Sequence, residues 1–203
     1  MTGQESPQPG SKTPQGEIRL LDGSRAYLHA IIDNFSRRIL AWRVAEKFHP
    51  GVTAQLLLDA SKSMTSGKPM LLVDGGVENF NSAVDRVIES GLLKRVLAQT
   101  EIRFSNSLIE SWWRVLKHQW LYLNTLDTVP TVRKLVGFYV EQHNAHLSHS
   151  AFRGQTPDEM YFGTGQDIPK QLETSRIAAQ QSRMEANRAE SCRTCEKLTT
   201  ISS

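Results

Sequence analysis

Four apolar residues in a row, Met70 to Val73, end on Asp74 and are broken at once by Gly75-Gly76. A strand with no polar alternation must be covered on both faces, so this run needs helices above and below a sheet and confines the chain to a layered α/β arrangement. Asp74 stands at the C-terminal end of that strand, where open sheets place their sites. The two glycines let backbone come close to a metal or a phosphate. Thirty-six positions later Glu110 lies inside an amphipathic stretch. A strand tip and a helix that each deliver a carboxylate are the parts of a divalent-metal site for phosphoryl transfer. The plainer alternatives are an ordinary acidic residue at a strand end and, for Glu110, a capping-box partner of Ser107.

The segments around this run agree with a layered fold. Residues 1–17 are rich in Gly, Pro, Ser, Thr and Gln, carry no apolar stretch that would make a signal peptide, and read as a disordered or unrelated lead-in. Residues 18–21, 26–32 and 39–44 read as three short strands. Asp22-Gly23 joins the first two as a hairpin, and Asp33, Asn34 and Ser36 mark the next turn. Helical spacing takes over in residues 51–66 and 79–90, on either side of the Met70 strand, and residues 95–98 read as a fifth strand. The expected architecture is a mixed five-stranded sheet with flanking helices. Beyond Ser105 the pattern is helical: one helix to about Tyr122, another from Asp127 or Thr128 with Pro130 in its first turn, and a short one capped at Thr156. Residues 163–169 read as a linker, and Arg176 to Glu190 as a polar helix with little to bury.

Composition narrows the function classes. The chain of 203 residues is 39% hydrophobic and 22% charged, and it has no apolar run long enough to span a bilayer. With two cysteines and no leader, the cytoplasm is the expected compartment. A net charge of +3 permits a nucleic-acid partner without requiring one.

Within the helix from residue 105, Leu108, Ile109, Trp112, Trp113, Leu116 and Trp120 make a broad apolar face. Asn106, Glu110, Arg114, Lys117 and His118 share the other side, because steps of three, four and seven return to one stripe. That stripe suits a phosphate backbone or plain solvent. Asp33 is a further acidic candidate, though with Ser36 it reads better as a turn cap. His143, His146 and His149 recur at intervals of three beside Asn144, but no carboxylate or cysteine completes a zinc set; phosphate contacts or helix-end capping fit better. Cys192 and Cys195 form one CxxC with no second pair, so neither a zinc ribbon nor a redox site is indicated.

Together these motifs resemble the integrase catalytic core, of the DDE and retroviral-integrase-like type, found in bacterial insertion-sequence transposases. The segments that carry the resemblance are YLHAIIDNFSRRILAW (27–42), LLVDGGVEN (71–79), SNSLIESWWRVLK (105–117), and HNAHLSHS with GQTPDEMY (within 139–161). It covers roughly residues 18–162 and leaves 163–203 as linker and tail. The resemblance implies a ribonuclease H-like fold, Asp74 and Glu110 as catalytic metal ligands, and Mg²⁺ or Mn²⁺ as cofactor. It also implies contacts to transposon-end and target DNA from Arg103, Asn106, Arg114, Lys117 and His118, and assembly into homo-oligomers. One departure is plain. Matching back from Asp22-Gly23 puts the family's first catalytic Asp at about Pro14; residues 12–16 hold no Asp or Glu, and Glu17 comes several residues too late. The first strand is therefore shortened or altered. Two functions follow from the resemblance: metal-dependent phosphodiester cleavage and strand transfer, or an inactive truncated remnant that binds DNA or pairs with an intact transposase.

Overall fold

The computed structural model describes residues 16–47, 49, 51–62, 70–73, 82–92, 94–97 and 107–199. The chain divides into two compact units, Met1–Asn144 and Ala145–Ser203.

The first unit is built on an antiparallel sheet in the order β1-β2-β3, with β1 at Glu17–Arg19, β2 at Arg25–Ile32 and β3 at Ile39–Ala45. The turn expected at Asp22-Gly23 joins β1 to β2. Gly23 adopts φ 84°, the left-handed region that favours glycine, and the Asp22 carboxylate accepts from the Ser24 amide at 2.8 Å. Gly16 serves a different need. A Cβ there would collide with the Leu28 carbonyl oxygen, so only glycine allows its own carbonyl to accept from Leu28 N at 2.8 Å.

Both faces of this sheet are covered, and a bulge keeps the faces sorted. Ile31 pairs with Ala41 and Ile32 with Ile39, which leaves Leu40 as the extra residue. The inserted residue reverses the parity of the strand, so Ile39 joins Trp42 and Val44 on one face while Leu40 and Ala41 turn to the other. On the first face lie α3 (Ser107–Gln119) and α4 (Val129–Glu141), which bring Trp112, Leu116, Val132 and Val136 against Ile18, Leu28 and Val44. Leu116, Val132 and Val136 are fully buried, each gaining about 1.5–3 kcal/mol from leaving water. The second face receives α1 (Gly51–Lys62), through Leu56 and Ala60 against Ala41; Ala54 and Leu57 of α1 meet Val84 and Val87 of α2 (Ser82–Glu89).

The remaining strands, β4 (Met70–Val73) and β5 (Lys94–Leu97), pair in parallel from Met70–Lys94 to Val73–Leu97. Among the described residues the strands form two separately hydrogen-bonded sheets, of three and two, and not one five-stranded sheet. Residues 74–81 lie outside the described residues. The start of α4 follows the expected chemistry: Thr128 accepts from Thr131 N at 3.3 Å, with Pro130 in the first turn.

In the second unit, α5 (Pro157–Phe162) opens with the full capping box of Thr156 and Glu159, at 2.7 and 3.2 Å. Gly163, at φ 69°, closes it. The last helix, α6, runs over Ile168–Thr199 and so extends beyond residues 176–190 at both ends. It swallows the end of the expected linker because Pro169 is tolerated in a first turn and the following Ala, Gln, Glu and Arg are good helix formers. Leu172 packs on Gly154, where a Cβ would collide with it. No helix among the described residues is long and apolar enough to cross a membrane.

Candidate metal and nucleic-acid site

Helix α3 divides its surface as its sequence predicts. Trp112, Trp113 and Leu116 are 5%, 8% and 0% exposed, whereas Glu110, Arg114 and His118 are open to solvent. Burial of the tryptophan side fixes the rotation of the helix, and rotation alone then places Glu110 in its first turn on the outward stripe. An exposed carboxylate is a hard oxygen donor that suits Mg²⁺ or Mn²⁺. His118 packs its ring edge-on against Tyr122 at 5.4 Å.

Lys117, on the same stripe, is half-buried. Burial pushes its ammonium below the usual lysine range, and the Glu17 carboxylate of β1 pushes it partly back. Glu17 has a side chain only 9% exposed and is gripped by Arg25, with Nε 3.3 Å from Oε1. Glu17 lies by Lys117, and four residues later Leu21 N donates to Leu126 O at 2.9 Å, past the end of α3. Glu110 is seven residues before Lys117, about 10 Å back along the same helix.

The other candidates divide clearly. Asp33 uses Oδ2 to accept from both the amide (2.7 Å) and the hydroxyl (2.6 Å) of Ser36, the turn cap expected of it. Asp74, Gly75, Gly76, Arg103 and Asn106 lie outside the described residues, as do the side chains of Cys192 and Cys195. Among the described residues no three His, Cys, Asp or Glu side chains gather where they could hold a metal ion. His149 accepts from Ala151 N at 3.3 Å and so caps a short turn.

His143 and Asn144 act differently from anything their spacing suggests. The ladder of α4 loosens into a π turn over Gln142–His146, which carries both side chains onto the β2–β3 hairpin. His143 Nε2 donates to the carbonyl of Arg37 at 2.9 Å, a residue held at φ 61°. Asn144, 8% exposed, donates to Ile39 O at 3.0 Å and accepts from Ile39 N at 2.9 Å, imitating a neighbouring strand. The His143 ring stands edge-on to Trp112 of α3, with centroids 6.1 Å apart, and lies parallel to Tyr139, whose hydroxyl pKa is raised by burial.

A family model described as a DDE domain matches residues 19–147, well over half of the chain. The chain belongs to that family. This DDE-domain chain is 21% identical over 140 residues to an Escherichia coli K12 protein named as a transposase for insertion sequence element IS150; the match covers 68% of this chain and 50% of that protein. Among solved structures it is similar to the catalytic core of the HTLV-2 integrase in complex with magnesium, with TM-score 0.56, 14% identity, and 71% and 89% of the two chains covered. The catalytic core of BIV integrase gives TM-score 0.55, 15% identity, and coverage of 73% and 91%. A chain of the simian T-cell lymphotropic virus intasome gives TM-score 0.59 and 15% identity over 71% of this chain and 50% of that one. The fold is therefore that of integrase catalytic cores, ribonuclease H-like. The chain spans about half the length of the curated relative it matches.

Proposed function

We propose that this chain is a transposase- or integrase-like protein of DNA integration and recombination, with Asp74 and Glu110 as ligands of Mg²⁺ or Mn²⁺. The observation that carries the reading is the DDE domain match over residues 19–147, with Glu110 exposed on the polar side of the helix that buries Trp112 and Trp113. Bound there, the ion supplies Lewis acidity for attack on a phosphodiester. Arg103, Asn106, Arg114, Lys117 and His118 take the DNA backbone, with guanidinium and ammonium groups neutralising phosphates. The core-like domain spans residues 18–162, its antiparallel triple and parallel pair of strands being halves of one mixed five-stranded sheet. It works in the cytoplasm, as a homo-oligomer on transposon ends and target DNA.

A specific observation favours the second reading, an inactive remnant that binds DNA or pairs with an intact transposase. Two metal ions need more negative charge than two carboxylates provide. Glu17 does not supply it, being committed to Arg25 and Lys117. The sequence signature assigns the family's first Asp to about Pro14, where no carboxylate stands.

Nicking of supercoiled plasmid in Mg²⁺ or Mn²⁺ by the purified chain, by Glu110→Gln and by Pro14→Asp tests both readings. Nicking that is lost in Glu110→Gln supports the enzyme. Nicking that appears only in Pro14→Asp supports the remnant. Nicking that persists undiminished in Glu110→Gln removes Glu110 from the site.

A further inference from the structure

The polar side of α3 does not end with the helix. Glu110, Arg114 and His118 follow in steps of four, one ridge of the helix surface, and the next step reaches Tyr122 in the 3₁₀ turn Leu121–Leu123. The ridge is continuous there, since the His118 and Tyr122 ring centroids lie 5.4 Å apart. The rings meet edge to face, at 79°, so each keeps at least one flat side that the other does not cover. Both are open to solvent, Tyr122 by 50%. Tyr122 takes no part in the core, which is closed at this turn by Leu121 and Leu126. Its surroundings are basic. No acidic residue occurs from Ser111 to Leu126, a stretch that holds Arg114, Lys117 and His118. Arg114 is exposed and forms no ion pair among the described residues. Glu17, the carboxylate that comes up to Lys117, is gripped by Arg25.

We propose that Tyr122 is a stacking platform for an unpaired base of a DNA strand held along α3; the inference rests on the function proposed above and adds to it the form of the DNA. A tyrosine ring offers a flat π-face on which any base can lie, and the guanidinium and ammonium groups beside it take phosphates of the same strand. An apolar protein surface seated here would instead have to strip water from Arg114, Lys117 and His118. Twelve positions separate Tyr122 from Glu110, about 18 Å of helix. That is about five nucleotides at the duplex rise of about 3.4 Å and fewer in an unstacked strand, so a strand whose phosphate reaches the ion also reaches the ring. A paired base keeps its faces inside the duplex stack. The platform therefore selects an opened or frayed end over closed duplex.

Fluorescence anisotropy of a labelled mixed-sequence oligonucleotide, given to the full chain single-stranded and as a blunt duplex in EDTA, tests it. Tyr122→Ala should bind the single strand about tenfold more weakly and the duplex within about twofold of the native chain. Tyr122→Phe keeps the ring and should match the native chain on both, which separates stacking from a hydroxyl hydrogen bond. Leu123→Ala, its more exposed neighbour, should change neither. Arg114→Ala should weaken both forms through a lost phosphate contact. If Arg114→Ala changes neither form, the DNA reading of α3 falls and the platform with it. The platform alone is overturned if Arg114→Ala weakens both forms while Tyr122→Ala matches the native chain, weakens both alike or is equalled by Leu123→Ala. Binding of duplex but not of single strand by the native chain overturns it too.

Discussion

Helices α3 and α6 make opposite use of a similar backbone. Thirteen residues of α3 bury two tryptophans and Leu116 against the three-stranded sheet, and the packing dictates which side chains remain outside. In α6, the residues from 171 to 191 are all exposed, and the helix owes its helicity there to propensity and local pairing. In the first helix tertiary contact decides where Glu110 points. In the second, sequence spacing alone decides which groups share a face. A functional residue on α3 is consequently held by the core, whereas one on α6 is only presented.

This contrast can be tested from its strongest point downwards. Leu116→Ala should cost about 2–5 kcal/mol in urea-induced unfolding, since the side chain is fully buried; a loss below about 1 kcal/mol would mean that α3 is not anchored by its apolar face. Asn144→Ala should cost about 1–3 kcal/mol, because it leaves the amide and carbonyl of Ile39 unsatisfied. Amide hydrogen exchange should distinguish the helices directly: Ala179→Gly weakens α6 locally by about 1 kcal/mol and speeds exchange there, without moving the protection of α3. Ile177→Ala should stay within about 0.5 kcal/mol of the native chain in the same urea experiment.

A pH effect belongs to the sheet that α3 covers. Burial holds the His29 imidazole below its ordinary value of 6.5. Folded His29 thus resists a proton that the unfolded chain accepts, so its contribution is present above about pH 6.5 and is lost as pH falls below it. His29→Gln should flatten that acid-side slope in stability measured from pH 7 to 5, and an unaltered slope would assign the loss to other groups.

Much of this was legible in the sequence where chemistry is local. The Asp22-Gly23 turn, the Thr128 and Thr156 caps and the two-sided character of α3 each depend on residues within one or two turns of each other. What was not legible depends on distant partners. Lys117 sits on the polar stripe by spacing, yet it is half-buried because β1 lays Glu17 beside it, a hundred residues away in sequence. The sheet-clasping roles of His143 and Asn144 need a π turn, a shift in hydrogen bonding without any distinctive composition. The full length of α6 is hidden because an apolar period is the usual helix signal, and this helix has none. For the site, the exposure of Glu110 followed from periodicity, while Asp74, Arg103 and Asn106 remain readings of the sequence alone.

Asn144, the last residue of the first compact unit, satisfies the amide and carbonyl of Ile39 at the start of β3 with its side chain. The rim of an antiparallel sheet left open invites a second chain to add to it. Fragments ending at residue 143 should self-associate through β3, and those ending at residue 146 should not.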